Sequence, residues 1–556
     1  MTIKLVLTLC QHCDMVPAPR EEVLRAMAQT SYDVLVIGAG MTGAGVALDA
    51  ASRGLKVALV DRGDFASGTS SKSSKMVHGG LRYLQQKEFR LVYENLRERQ
   101  RLLDNAPYLV RPLPFLIPLF AKNGVVSKAL VKGYSTALWI YDLSGGWRIG
   151  QRFRKVSRQE ALEHMPTLNV EHLVAGFLYM DARGDDARVA LTLARTASID
   201  YGADVANYLR AEGIAYDDSG RATTVRLGDT LSSTHFDVNV KCVVNATGVW
   251  ADEIFAMAEH QTSHRITPAK GVHLSVERHR LPADVAAVLS VPGDRRSVFV
   301  VPFEEAPFTF IGTTDTAYDG ALDSPRCTPE DLAYLLAAVN ASTSCNLTEQ
   351  DVTGIWAGLR PLIAPEVGKQ LRERTADLSR RHRVTDTHDG VVHITGGKWT
   401  TYRQMAEDCV DALGPYLPRL SRVRTKSLRL HGVGSWRPTS DLERHLYGRY
   451  GQDTIRLLKL IEDDPTLGEP VFVNQPYVGA EFVFAVQEEM AVNLEDLLTR
   501  RTRAYLHDGR ATVAGARVVA RLVAPMLNWD DSEVERQVNR FTESARDEFS
   551  TAGLTL

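Results

Sequence analysis

Cysteine is scarce in this chain, neither charge sign is in excess and no long apolar run occurs; each absence removes a class of protein. Six cysteines among 556 residues, with only Cys10 and Cys13 close together, do not suit a disulfide framework. They fit a reducing compartment, with the cytoplasm as the default. Cys10-Gln11-His12-Cys13 has the spacing of half a zinc site, but no second Cys or His pair follows at a suitable distance, so no metal is expected. With Lys+Arg 65 against Asp+Glu 68 the formal net charge is −3, which supplies no basic field for DNA or RNA. No stretch approaches the roughly 18 to 20 apolar residues that cross a bilayer, and no low-complexity tract marks disorder. Residues 1–30 begin mildly apolar, turn polar over 10–20 and show no small-residue cleavage pattern, so they read as an extension rather than a signal peptide.

What is present is an ordinary globular composition, 44% hydrophobic and 24% charged, in a chain long enough for two or three domains. Residues 32–37 form a short β-branched run that enters glycines. Residues 42–53 are rich in small side chains and end at Gly54, and 56–60 form a second apolar run ending at Asp61. This is one βαβ unit, which sets the class as α/β. Over 107–166 the pattern breaks, and Arg111-Pro112-Leu113-Pro114-Phe115-Leu116-Ile117-Pro118-Leu119-Phe120 reads as neither regular helix nor central strand. Regular elements resume with a helix over 186–201 and a strand ending at 241–248. Beyond residue 441 the text is helical, with apolar spacing that predicts helices over 482–503 and 514–541.

Gly38-Ala39-Gly40-Met41-Thr42-Gly43 fits G-x-G-x-x-G in its proper context, after a strand and at the opening of a helix, with Asp61 closing the next strand. The glycines let backbone N–H groups approach a pyrophosphate, the helix N-terminus favours its charge, and Asp61 suits ribose hydroxyls. Two more apolar runs end in Ala246-Thr247-Gly248 and in Gly396-Gly397. A nicotinamide needs one such place, whereas a long bent flavin dinucleotide touches several strand ends, so FAD is favoured.

The stretch Gly68-Thr69-Ser70-Ser71-Lys72-Ser73-Ser74-Lys75-Met76-Val77-His78-Gly79-Gly80-Leu81-Arg82-Tyr83-Leu84 is joined by Lys270-Gly271-Val272-His273-Leu274 and Ile311-Gly312-Thr313-Thr314-Asp315-Thr316. With Gly358-Leu359-Arg360-Pro361-Leu362 and Gly396-Gly397-Lys398-Trp399-Thr400-Thr401-Tyr402-Arg403, it closely resembles the FAD-dependent, quinone-linked glycerol-3-phosphate dehydrogenases from residue 31 onward. The resemblance implies a glutathione-reductase-like FAD-binding Rossmann domain, a D-amino-acid-oxidase-type substrate domain and a C-terminal α-helical domain. The implied boundaries are an extension at 1–30, an oxidoreductase region at 31–420 and a helical domain at 421–556. FAD-binding parts are expected at about 31–106, 170–265 and 355–415, with substrate and cap parts at about 107–169 and 266–354. The resemblance also implies non-covalent FAD, oxidation of sn-glycerol 3-phosphate to dihydroxyacetone phosphate, and electrons passed to membrane quinone by a cytoplasmic protein peripherally bound to the inner membrane. It leaves homo-oligomerisation open. Two departures are Asp61, where the family commonly has Glu, and the absence after residue 430 of the calcium-binding loop found in the animal mitochondrial members.

Residue by residue, the resemblance puts Gly38, Gly40, Gly43, Asp61, Ser70, Ser74, Lys75, His78 and Gly79 beside the cofactor, together with Ala246, Thr247, Gly248, Gly396, Gly397 and Thr400. It puts Arg82, Tyr83, His273, Arg360, Arg380 and Lys398 around the substrate. A phosphate dianion calls for several cations, preferably arginine forks. Loss of hydride from C2 calls for a base, for which His273 is the candidate, and for cations such as Arg360 and Lys398 near the developing oxygen charge. The apolar and basic stretch 107–147, with Lys122, Lys128 and Lys132 among its cations and Leu116, Ile117 and Phe120 among its apolar contacts, suits a lipid interface or a plain cap over the pocket. An oxidase that uses oxygen and a non-catalytic flavin-binding protein of the same fold are the competing readings.

Overall fold

The computed structural model describes residues 18–85, 88–121, 128–259, 266–291, 293–294, 296–363 and 381–556. The Cys10 and Cys13 pair, Lys122 and Arg380 lie outside the described residues, as do the side chains of Arg82 and Lys128.

Two sheets organise the molecule. The first has eight strands, and its main path runs His382–Asp386, Val391–Gly396, His235–Asn245, Ser31–Ile37, Val57–Val60, Asp204–Ala206. Its central pairs are parallel; three strands end level, since Ile37 faces both Asn245 and Val60, and Val391–Gly396 runs three residues further, since Asn245 faces His393. The parallel core is buried on both faces, as the continuous apolar run over 34–37 requires. Helix Met41–Ser52 covers one face, and its small residues let another helix approach closely; a Cβ on Gly45 would stand 2.6 Å from the Tyr402 ring.

The second sheet has ten strands and is antiparallel except where Ala286–Ser290 runs alongside Val110–Phe120. The latter is the proline-rich run, and it is a sheet-interior strand of 11 residues rather than an irregular cap. Pro112, Pro114 and Pro118 share one parity, so their missing N–H groups fall on one edge. On that side the neighbour pairs only with Phe115 and Leu116, so the long ladder to Leu173–Gly184 survives. Leu116 and Ile117, expected to touch lipid, are buried in this strand. Leu173–Gly184 and Val352–Ile363 belong to this sheet, so the strands of the first sheet come from narrower stretches than the FAD-binding parts outlined from sequence.

The C-terminal helices are shorter than the periodicity suggests. Gly479–Glu488 ends before Met490, whose φ is +54°, and Gly509–Leu527 is separated from Asp531–Thr551 by Asn528 in the left-handed region. Asp508 and Asp530 cap the two long helices through their side chains. These helices share one continuous core with the second sheet, in which Phe482, Tyr505, Phe541 and Phe549 join Phe308, Phe310 and Trp356.

Candidate active site

The carboxyl ends of the parallel strands open onto a cavity of about 960 Å³, where open α/β sheets bind their ligands. At one end the turn over 38–43 brings Gly38, Gly40, Met41 and Thr42 into the wall. Gly38 has φ +103°, and a Cβ there would stand 2.7 Å from the carbonyl oxygen of Ala246. Gly43 lies behind the wall, where any side chain would strike the Gly38 carbonyl. Ser70 accepts from the Met41 N–H at 2.8 Å. Asp61 accepts from the N–H groups of Ala39 at 2.7 Å and Gly63 at 2.9 Å, one on each carboxylate oxygen, which leaves each oxygen a lone pair for a hydroxyl. Burial pushes its pKa up, against the pull of these two donors. Bare backbone, a helix N-terminus and an acid with remaining acceptor capacity fit the pyrophosphate and ribose of FAD. Trp250 and Arg62 extend this end of the wall, the guanidinium 4.7 Å above the indole.

Ala246, Thr247, Gly248, Gly396, Gly397 and Thr400 line the middle of the cavity, as do Ser74 and His78. Lys75 and Gly79, expected beside the cofactor, stand behind the wall. Lys75 has φ +54°, and its side chain turns away to Asp186 at 3.0 Å. Gly79 is spent on its N–H, which donates to the Tyr141 hydroxyl at 2.8 Å and to Asp181 at 3.2 Å.

At the far end Tyr83, His273, Arg360 and Lys398 meet from four separate segments. His273 is only 1% exposed, and its Nε2 lies 2.8 Å from Ser74 Oγ. Its ring stacks on Trp356 at 4.9 Å, tilted by 6°, and meets the Phe310 ring at 6.2 Å. Burial, reinforced by Lys75 and Arg360, drives its pKa well below the ordinary histidine value. The Arg360 guanidinium is held by the Lys270 carbonyl and Asp315 at 3.3 Å each, by Thr313 at 3.2 Å and by the Thr314 carbonyl at 3.1 Å. Lys398 Nζ sits 3.7 Å above the centre of the Tyr83 ring. Sequence reasoning missed Arg296, which also lines this end, bonds the Asp315 carbonyl at 3.2 Å and is paired with Asp294. It missed Trp356 as well, whose signal was its place four residues before Arg360, on the strand that pairs with that of His273. Phe115, Ile117, Tyr134, Tyr179 and Phe299 add an apolar flank.

Two family profiles match the chain: "FAD dependent oxidoreductase" over residues 33–411 and "C-terminal domain of alpha-glycerophosphate oxidase" over 391–534. Glycerol-3-phosphate dehydrogenase 2 of Mycobacterium tuberculosis is 39% identical over 541 residues, covering 94% of this chain and 90% of that protein. The mitochondrial glycerol-3-phosphate dehydrogenase of Homo sapiens is 35% identical over 555 residues, covering 94% and 74%. The crystal structure of the Bacillus halodurans glycerol-3-phosphate dehydrogenase complexed with FAD superposes with a TM-score of 0.75 at 30% identity, covering 95% of this chain and 97% of that one. The FAD-bound L-alpha-glycerophosphate oxidase of Mycoplasma pneumoniae shares the fold, with a TM-score of 0.55 at 18% identity.

Proposed function

Because the chain belongs to the FAD-dependent glycerol-3-phosphate dehydrogenases, we propose that it oxidises sn-glycerol 3-phosphate to dihydroxyacetone phosphate and passes the electrons to membrane quinone. FAD, when bound, supplies the two-electron acceptor for the hydride from C2. The turn over 38–43, Asp61 and the strand ends at 246–248 and 396–397 would hold it, without a covalent bond. Acid precipitation of the holoenzyme would then release the yellow colour into solution.

The remaining chemistry falls to this chain's own side chains. His273 accepts the proton of the C2 hydroxyl, since an imidazole kept uncharged by burial and by two neighbouring cations is free to take one. Lys398 and Arg360 stabilise the oxygen as it becomes a carbonyl, and Arg360, with Arg82 and Arg380 by family resemblance, binds the phosphate. The observation that carries the reading is the convergence of His273, Arg360 and Lys398 at one end of a cavity whose other end is a dinucleotide cradle. Anaerobic addition of glycerol 3-phosphate to the yellow protein should bleach the flavin absorbance; colour that persists rules the reading out.

Quinone as acceptor is supported by the apolar flank of the cavity. Tyr134 on that flank belongs to helix Lys128–Leu143, which also carries the exposed Trp139 and Leu143 and is followed by the exposed Trp147. Phe89 and Tyr93 are exposed too, and Arg148 lies over the Tyr93 ring. Aromatic side chains with a basic neighbour suit the boundary of an anionic bilayer, and no described helix is long and apolar enough to cross one. Oxygen is the second reading, favoured by the oxidase C-terminal profile; stoichiometric peroxide formed during turnover would establish it.

A further inference from the structure

Asp186 on the cavity wall is the centre of a group of buried charges, with Lys75 and Arg503, that the reaction itself does not use. Asp186, at the start of helix Asp186–Arg195, accepts the Ser73 N–H at 2.9 Å on one oxygen. On the other it holds Lys75 Nζ at 3.0 Å and Arg503 Nη2 at 2.8 Å. Lys75 and Arg503 both also bond the Ser71 carbonyl, at 3.3 and 2.5 Å. The loop that presents Ser74 to His273 is thus gripped on both sides of Ser74, and one grip comes from the C-terminal helical region. The Lys75 ammonium stands 5.4 Å over the Trp356 ring, which also packs against the His273 ring at 4.9 Å and the Phe310 ring at 5.9 Å, so the indole touches both cation and imidazole.

We propose that Lys75, Asp186 and Arg503 form a positioning clamp, which fixes Ser74 against His273 and holds the Lys75 ammonium beside the Trp356 ring on which the imidazole stacks. This rests on His273 as the proton acceptor. A buried ion cluster is a weak source of stability, because desolvation cancels much of its attraction; its placement is what gives it a role. The groups that face His273 are Ser74 from the loop, Arg360 from the adjoining strand, the Phe310 and Trp356 rings, and Lys75, which is held over the same indole. Both cations disfavour a second positive charge on the ring. Removing the charge of Lys75 therefore makes the imidazolium easier to form and shifts its titration to higher pH.

The test uses the FAD-loaded protein with Lys75→Met, Lys75→Arg and His273→Asn. His273 is titrated by NMR on histidine-labelled protein, with His273→Asn assigning its signal, and the pH profile of anaerobic flavin reduction is recorded in parallel. Lys75→Met should retain FAD and move both the titration and the acid limb upward by about one pH unit, the effect of one charge at this separation in a partly screened interior. Lys75→Arg should leave both in place. If Lys75→Met loses FAD, or leaves the His273 titration unmoved, the cluster serves only the fold and the proposal falls. If instead His273→Asn reduces flavin as fast as the parent, the assignment of the acceptor falls, while the NMR titration still reports separately on Lys75.

Discussion

At the scale of single residues, Arg360 is a tightly held cation at the candidate substrate end. Four acceptors hold its two terminal nitrogens, so its planar fork is set before any ligand arrives. Arg360→Ala should raise KM for glycerol 3-phosphate by roughly 10- to 100-fold, the worth of a charge-assisted contact of about 1.5 to 3 kcal/mol. FAD content should be unchanged, and Arg360→Lys should not restore KM, since a lysine cannot reproduce the fork. His431 offers a pH-dependent counterpart away from the site. It lies between Asp200 at 3.1 Å and Asp453 at 3.4 Å, and although burial opposes its charge, these carboxylates raise its pKa to about 9. A folded pKa above the unfolded value of about 6.5 stabilises the protein fully below pH 6.5, and that contribution is lost as pH rises through about 9. The melting midpoint of His431→Asn should therefore fall below that of the parent most at pH 6, by the equivalent of roughly 2 to 3 kcal/mol, with the difference closing above pH 9. The place of Gly38 and Asp61 on the cavity wall was legible in the sequence, because a strand, a glycine turn, a helix and a second strand ending in an acid fix where those positions fall. Lys75 was not, because the left-handed turn at its own Cα, which points it away from the cavity, leaves no mark on the motif.

At the scale of elements, the βαβ unit was legible because a buried parallel strand must read as a continuous apolar run. The strand Val110–Phe120 was hidden by its prolines, whose common parity matters only once the neighbouring strands are known. The same confusion misdirects the proposed lipid contact. Among the described residues of 107–147 the exposed large apolar side chains are not those of the strand but Trp139, Leu143 and Trp147. Replacing these three together by Ser should release the protein from anionic vesicles while a soluble dye is still reduced. Binding of the parent should weaken in high salt, which screens the cations, yet persist through apolar burial worth about 25 cal/mol per Å². A triple variant that sediments with vesicles as the parent does would leave the patch without this role. The overlong helices expected over 482–503 and 514–541 reflect a periodicity that continues across Met490 and Asn528, where only positive φ angles reveal the breaks.

At the scale of the whole molecule, sequence marks a composition change near residue 441 but not what holds the two sides together. The apolar core runs from the second sheet into the last helices without a boundary, with Phe308 and Trp356 in the same cluster as Phe482 and Phe549. Charges cross the same divide. Asp64, just after the turn that closes the cofactor end, accepts from Arg500 Nε at 2.7 Å and from both terminal nitrogens of Arg501 at 2.7 and 2.8 Å. Burial alone would raise its pKa, and the two guanidinium groups instead hold it well below the carboxylate range. Asp186 likewise accepts across this divide, from Arg503 Nη2 at 2.8 Å. A chain cut after residue 440 would bare that apolar face and leave two buried carboxylates without their arginine partners, each loss costing about 3 to 5 kcal/mol. Together these losses approach the roughly 5 to 15 kcal/mol that a whole domain has to spare. The truncated chain should therefore collect in the insoluble fraction without flavin, and the milder Arg501→Ala should lower the melting midpoint of the full chain. A soluble, yellow fragment of residues 1–440 would mean that the helical region is an accessory and that the preceding 440 residues fold without it.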